Sequence, residues 1–166
     1  MSATTFDIVV LVLRLTLGGM LIAHGANKVI GQGGLAGTAR WFASLGLAPA
    51  WLHARLAAAT ELGAGALMLV GFLTPAASAA FVGLMVVAAL TDHRGKGFFV
   101  FKGGSEYVGL VGVWAVAIAA LGPGRWSADS GLGWHLQGLM WAVSSLVLGV
   151  VCAVGLLMVG KAGKAQ

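Results

Sequence analysis

Two side chains near the end of the first long apolar segment could act on the same ligand. His24 and Lys28 are spaced i, i+4, so in a helix they share one face. Glu61 and Glu106 could bring carboxylates to the same end of the molecule, and with His24 they could move protons. Quinone reduction needs this combination, because hydrogen-bonding groups must meet the ring oxygens while an apolar path accommodates the tail. The pattern allows a quinone as cofactor without requiring one.

The elements that position these residues are expected to lie in lipid. Hydrophobic residues make up 59% of the chain and charged residues only 9%, whereas about a quarter of a typical soluble protein is charged. The 27 glycines scatter through the apolar runs, as they do in membrane helices that approach closely. The net charge of +5 comes from basic residues between those runs, which indicates contacts with the lipid bilayer rather than with nucleic acid.

Five apolar segments are candidates to cross a bilayer, which takes about 20 residues in a helix. They cover residues 6–30, 52–72, 75–90, 106–121 and 136–159. Helices are expected because lipid leaves no water to satisfy an open backbone. We therefore predict an all-α membrane protein. A four-helix transmembrane bundle occupies residues 1–135, and a fifth C-terminal transmembrane helix with a short basic cytoplasmic tail occupies residues 136–166.

The connection between the first two spans, GQGGLAGTARWFASLGLAPAW, is too polar to cross a membrane. Its apolar residues recur at helical spacing: Leu35, Ala39, Phe42 and Leu45. This spacing predicts a short amphipathic helix that lies at the membrane interface. An ordinary loop is the alternative.

Basic residues are divided unequally between the two predicted sides of the membrane. Arg125 lies on one side, and eight lie on the other: Lys28, Arg40, Arg55, Arg94, Lys96, Lys102, Lys161 and Lys164. Because basic connections stay in the cytoplasm, we predict a multi-pass protein of the bacterial cytoplasmic (inner) membrane. Its N-terminus is outside and its C-terminus is cytoplasmic. No basic stretch precedes the first span, so we expect a retained helix and not a cleaved signal peptide.

Two charged residues are predicted to lie deep within spans, Arg14 in the first and Glu61 in the second. A charge at the centre of a membrane helix costs about 2.5–3.5 kcal/mol on insertion scales, so both should face the bundle, where they could neutralise each other. Polar groups expected at the same level include His53, Arg55, Asp92 and His93. The candidate cofactor-binding cluster is Arg14, His24, Lys28, Glu61, Glu106 and Tyr107. The alternative is a buried ion pair that only fixes helix register.

A metal site is not predicted. His24 and His93 could in principle ligate a haem or a metal, but histidines at helix ends more often make hydrogen bonds at the interface. Cys152 has no second cysteine with which to form a disulfide, and the sequence contains no CxxC motif. GQGGLAG is not expected to bind phosphate, because it follows a membrane helix and not a strand.

Three motifs occur in order along the chain: HGxxK at His24–Lys28, TELG with Glu61, and GPGxxSxD at Gly122–Asp129. With these motifs, residues from about Leu11 to Asp129 resemble the DoxX family of small bacterial membrane proteins. The resemblance implies a four-helix bundle with an amphipathic segment after its first helix. It also implies association with quinone-linked oxidoreductases, such as the small membrane subunit of thiosulfate:quinone oxidoreductase, and with redox-stress systems. By motif match it points to Arg14, His24, Lys28, Glu61 and Glu106, and it assigns them no catalytic role.

The fifth span is an addition to the four-helix pattern of that family. It carries no charge between Gln137 and Lys161 and is apolar all round, so it can face lipid or dock on another subunit. One hypothesis is an integral membrane subunit of a quinone-linked oxidoreductase or other redox-associated complex, with its polar site near the cytoplasmic leaflet. The other is a non-catalytic accessory subunit of a larger respiratory or photosynthetic complex, docked through this helix. Both predict other membrane subunits as partners. A small-molecule carrier is weaker, because no inverted repeat supports it.

Overall fold

A computed structural model describes residues 2–162 of the chain, and the predicted tail with Lys164 lies outside that range. Within it there are seven α-helices and no strand, which confirms the all-α prediction. The helices are α1 (Ala3–Ile30), α2 (Gly34–Ser44), α3 (Ala50–Val70), α4 (Thr74–Leu90), α5 (Glu106–Leu121), α6 (Ala128–Gly131) and α7 (Leu139–Ala162). A single 3₁₀ turn, Val100–Lys102, lies between α4 and α5.

Two helices in the described part of the chain are long and apolar enough to cross a membrane. They are α1, with 28 residues, and the Leu139–Gly160 part of α7, with 22. Helices α4 and α5 are also apolar but are shorter, with 17 and 16 residues. Helix α3 has 21 residues, but His53, Arg55 and Glu61 make it less apolar than the two long helices.

Helix α1 packs most closely against α3, and the two run antiparallel. Its buried residues recur every three or four positions, so that they form one stripe: Asp7, Val10, Arg14, Leu17, Gly18, Leu21 and Gly25. Gly18 and Gly65 let the backbones touch. A Cβ added to Gly18 would lie 2.7 Å from the carbonyl oxygen of Gly65, so only glycine fits there.

Four helices contribute to the main hydrophobic core. Leu21 of α1, Met68 of α3, Phe81 of α4 and Ile118 of α5 are almost fully buried within one cluster. Helix α7 packs along α4 and also contacts α5. The two ends of this assembly are called below the Lys28 end, where α1 finishes and α3 begins, and the Asp7 end, where α1 begins and α3 finishes.

Helix α2 lies where the amphipathic segment is predicted, which excludes the alternative of an ordinary loop. Its inward residue Phe42 is 8% exposed and packs with Leu47 and with Ala54 of α3. Thr38 of α2 also donates a hydrogen bond to the carbonyl oxygen of Lys28, at 3.3 Å. These contacts hold α2 across the Lys28 end.

Candidate functional site

A cavity of about 650 Å³ opens between the helices and has walls from α1, α2, α3, α4, α5 and α7. Helix α4 lines it from Ala76 to Ala88, which is about 18 Å of helix. The polar lining residues lie towards the Lys28 end, where apolar residues such as Trp41 and Leu47 also line the cavity, whereas towards the Asp7 end the lining is apolar. The volume lies within the range of small-molecule sites, about 300–1,000 Å³.

An ion pair between Lys28 and Glu61 stands in the wall of this cavity. The Nζ atom of Lys28 is 2.7 Å from each carboxylate oxygen of Glu61, but the angles allow a hydrogen bond only to Oε1. The side chains are 14% and 10% exposed, respectively. The Oε2 atom of Glu61 is buried without a hydrogen-bond partner in the described structure. Although the ammonium group of Lys28 compensates its charge, Oε2 keeps lone pairs that could accept a hydrogen bond from a ligand.

His24 and Tyr107 border the same end of the cavity from α1 and α5. Their ring centroids are 6.5 Å apart and the rings are tilted by 37°. The hydroxyl group of Tyr107 donates to the sulfur of Met20, which is a weak acceptor. That hydroxyl could therefore turn to a better acceptor at little cost.

The connection after α4 adds further polar groups to the cavity wall. His93 Nδ1 lies 2.7 Å from the carbonyl oxygen of Gly103, which fixes the imidazole ring. Asp92 pairs with Lys96 at 3.3 Å, and both side chains are partly exposed. His53 begins the opposite wall, on α3, and its Nε2 atom is 3.3 Å from the carbonyl oxygen of Ala48. Arg55 points elsewhere and packs over the Trp51 ring.

Arg14 is not part of this site, and its expected pairing with Glu61 is wrong. Its guanidinium group is buried and donates to four backbone carbonyl oxygens: Met68 (3.1 Å), Leu69 (2.8 Å), Pro123 (2.6 Å) and Trp126 (3.0 Å). Arg14 and Lys28 lie on one stripe of α1, but fourteen residues of helix separate them by about 21 Å. The antiparallel α3 brings Glu61 opposite Lys28 and brings its own last turn opposite Arg14.

Glu106 also lies outside the cavity lining. Its Oε2 atom accepts a hydrogen bond from the backbone N–H of Val100 at 3.0 Å, and its own N–H donates to the carbonyl oxygen of Phe98. Glu106 is the first residue of α5, so its carboxylate orders the 3₁₀ turn before that helix. The tertiary fold thus divides the six candidate residues: His24, Lys28, Glu61 and Tyr107 line the cavity, while Arg14 and Glu106 do not.

Two carboxylates that were not predicted as functional residues organise the Asp7 end. Asp129 is fully buried and accepts hydrogen bonds from Leu73 N, Thr74 N and Thr74 Oγ1 at 2.7–3.0 Å, so it caps the start of α4. Asp7 accepts from the backbone and side chain of Arg125. The GPGxxSxD motif supplies Asp129 and two of the carbonyls that hold Arg14, so its role here is structural. No local signal in the sequence indicates the role of Asp129, because its partners Leu73 and Thr74 lie 56 and 55 residues earlier in the chain.

Among the described residues, no group of three or more His, Cys, Asp and Glu side chains is placed to hold a metal ion. What the Lys28 end of the cavity offers is hydrogen bonding. Lys28 and Tyr107 are donors, Glu61 Oε2 is an acceptor that makes no hydrogen bond, and His24 can act in either role depending on its tautomer. With an apolar chamber behind them, these groups can hold a headgroup that carries oxygen atoms and an attached apolar chain.

Comparison with known proteins gives one family match. The family model for DoxX matches residues 9–94, which include most of α1 and all of α2, α3 and α4, and therefore three of the four site residues. No curated protein matches the chain, and neither does any solved structure.

Proposed function

The chain belongs to the DoxX family, a membership that together with its apolar helices indicates a membrane protein, and from this we propose that it binds a quinone as the membrane subunit of a quinone-linked oxidoreductase. One observation carries the proposal. The Lys28–Glu61 pair stands in the wall of a chamber that is polar at one end, and Glu61 Oε2 there lacks a hydrogen bond.

The residues present fit such a group. When bound, a quinone supplies reversible two-electron, two-proton chemistry. The ammonium group of Lys28 and the hydroxyl group of Tyr107 can donate to a carbonyl oxygen, and Glu61 Oε2 can accept from a hydroxyl. A carboxylate beside a histidine can also take up or release a proton. Glu61 and His24 are thus the groups that would exchange protons, while the chamber beyond is lined by apolar side chains.

The proposed membrane arrangement follows from the lengths and charges of the helices. Helices α1, α3, α4, α5 and α7 cross the bacterial inner membrane, and α2 lies at its cytoplasmic face. The polar Lys28 end then faces the cytoplasm, together with Arg40, Arg94 and Lys96. Helices α4 and α5 are short for a full crossing, so their polar flanks complete it.

Glu61→Gln tests the proposal, and Glu106→Gln is its matched control. Both substitutions remove one carboxylate charge at the same end, but only Glu61 lines the cavity. In purified protein we expect the first variant to weaken binding of a short-chain benzoquinol, whose hydroxyl group can donate to the carboxylate, about tenfold, as loss of a charge-assisted hydrogen bond should. We expect Glu106→Gln to leave binding unchanged. Equal binding by wild type and both variants, with circular dichroism showing intact helices, would contradict the proposal.

The accessory-subunit hypothesis depends on α7 as a docking helix. One face of α7 packs on α4, where Ser145 Oγ donates to the carbonyl oxygen of Pro75 at 2.8 Å. Removal of residues 139–166 should therefore destabilise the remaining helices, because it uncovers α4. A truncated chain that stays as stable as the full chain, and that loses only its partners, would favour the docking role instead.

A further inference from the structure

Helix α7 forms one wall of the cavity. Five of its residues line the chamber, and their spacing places them on a single helix face: Leu148, Gly149, Cys152, Ala153 and Leu156. At Gly149 the helix lies so close to α4 that an added Cβ would be 2.5 Å from the carbonyl oxygen of Ala79. The family match ends at residue 94, so this wall comes from outside the matched region.

Contacts at both of its ends hold α7 in this position. At the Asp7 end, the backbone N–H of Gly138 donates to the carbonyl oxygen of Ala120, and Ser145 binds Pro75. At the Lys28 end, Leu157 packs on the Phe42 cluster, and a Cβ added to Gly160 would lie 3.0 Å from His53 Nε2. Because both ends are fixed, the cavity face of α7 has a defined place along the chamber.

The α7 wall lies against the apolar part of the chamber. Opposite Leu148 and Gly149, helix α4 presents small or apolar residues: Ala76, Ala79, Ala80, Gly83 and Leu84. The charged and hydrogen-bonding groups of α1, α3 and α5 lie towards the other end. A molecule that fills this chamber must therefore combine an oxygen-bearing headgroup with an extended apolar chain.

Resting on the proposed function, we propose that α7 receives the apolar chain of the bound quinone, and that the Cys152 position controls whether that chain fits. Cys152 is exposed where the chamber opens and lines it with a small side chain, while its neighbour Val151 is also exposed but lies outside the lining. A bilayer is as apolar as the chamber, so chain binding depends on packing and not on escape from water. A larger side chain at position 152 should then remove the contribution of the chain to binding affinity and leave binding of the headgroup unchanged.

The test compares three full-length proteins: wild type, Cys152→Trp and the matched control Val151→Trp. Each is titrated by native mass spectrometry with a decyl-substituted benzoquinone, the same ring without the chain, and a ring-free single-chain phosphatidylcholine. We expect Cys152→Trp to weaken decyl-quinone binding about tenfold, because the indole ring would occupy the space that the chain needs at this wall. Val151→Trp should match wild type, and the ring without a chain should bind all three equally.

The outcomes separate the two proposals. If both variants bind the decyl-quinone like wild type, α7 does not receive the chain, although the quinone proposal stands. If wild type binds neither quinone but binds the single-chain lipid, and Cys152→Trp loses it, the quinone proposal fails and the role of α7 holds. If no probe binds wild type, both proposals fail. If Cys152→Trp also loses binding of the chain-free ring, the titrations are repeated with Leu148→Trp in place of Cys152→Trp. Equal loss of both quinones in Leu148→Trp would refute the proposal that α7 receives the chain.

Discussion

The Lys28–Glu61 pair yields the sharpest prediction. A double-mutant cycle separates a pair that only fixes helix register from a pair that also binds a ligand. At 2.7 Å and an effective dielectric constant near 20, the attraction between the two charges is about 6 kcal/mol. Desolvation of both groups offsets part of it. Removal of Lys28 alone, as in Lys28→Met, leaves a mostly buried carboxylate unpaired and should lower the free energy of unfolding by about 3–5 kcal/mol.

Removal of Glu61 alone should cost less. Lys28 is two residues from the end of α1, so its long side chain can turn towards the membrane surface when it loses its partner. Glu61 lies in the middle of α3 and has no such escape. For Glu61→Met we expect a loss of about 1–2 kcal/mol. The double variant should lie within about 1 kcal/mol of wild type, because two apolar side chains can replace a buried pair.

Unfolding in mixed detergent, followed by circular dichroism, measures all four proteins, and decyl-quinone binding is measured on the same samples. A coupling energy below about 0.5 kcal/mol would refute the claim that the pair is a strong buried interaction. Binding supplies the second criterion. If the pair only fixes helix register, the double variant recovers both stability and binding, whereas a ligand site predicts recovered stability with lost binding.

Three further predictions concern stability. Arg14→Met should lower the free energy of unfolding by about 3–5 kcal/mol, because four carbonyl oxygens lose their donor. Arg14→Lys should recover only part of this loss. Full stability of Arg14→Met in the same unfolding assay would contradict the structural role of Arg14. Asp129→Ala should cost about 2–3 kcal/mol through loss of the α4 cap, and faster hydrogen exchange at the start of α4 is the accompanying sign. Gly18→Val should cost about 1–3 kcal/mol by separating α1 from α3. Gly19→Val is its control, because a Cβ there meets nothing within 4 Å, and equal stability of these two variants would refute the close-packing argument.

The pattern of apolar residues predicts much of this fold. Predicted and observed helix ends agree to within a few residues, for example 52–72 against Ala50–Val70 and 106–121 against Glu106–Leu121. The helical spacing of Leu35, Ala39 and Phe42 likewise predicts α2. These features are local, because hydrophobic period, turn residues and the cost of exposed backbone act within one segment.

The site was predictable only in part, because helix partners are not a local property. A residue pattern gives the face on which a side chain lies, and so it places Arg14 and Lys28 on one stripe of α1. It does not give the position of a partner along the neighbouring helix. The pairing of Arg14 with Glu61 was wrong because two inward-facing residues on neighbouring helices need not lie at the same depth along those helices. The register of α3 places the carbonyl oxygens of its last turn at Arg14.

By itself, the sequence determined that the chain is helical and apolar, where its helices begin and end, and which polar residues must turn inward. These follow from composition and from the period of the helix. Tertiary structure alone decided that Lys28 faces Glu61, that Arg14 and Asp129 fasten the opposite end, and that α7 forms one wall of a chamber. The physical reason is that each of these depends on close packing between segments distant in sequence, set by contacts such as Gly18 on Gly65 and Gly149 on Ala79.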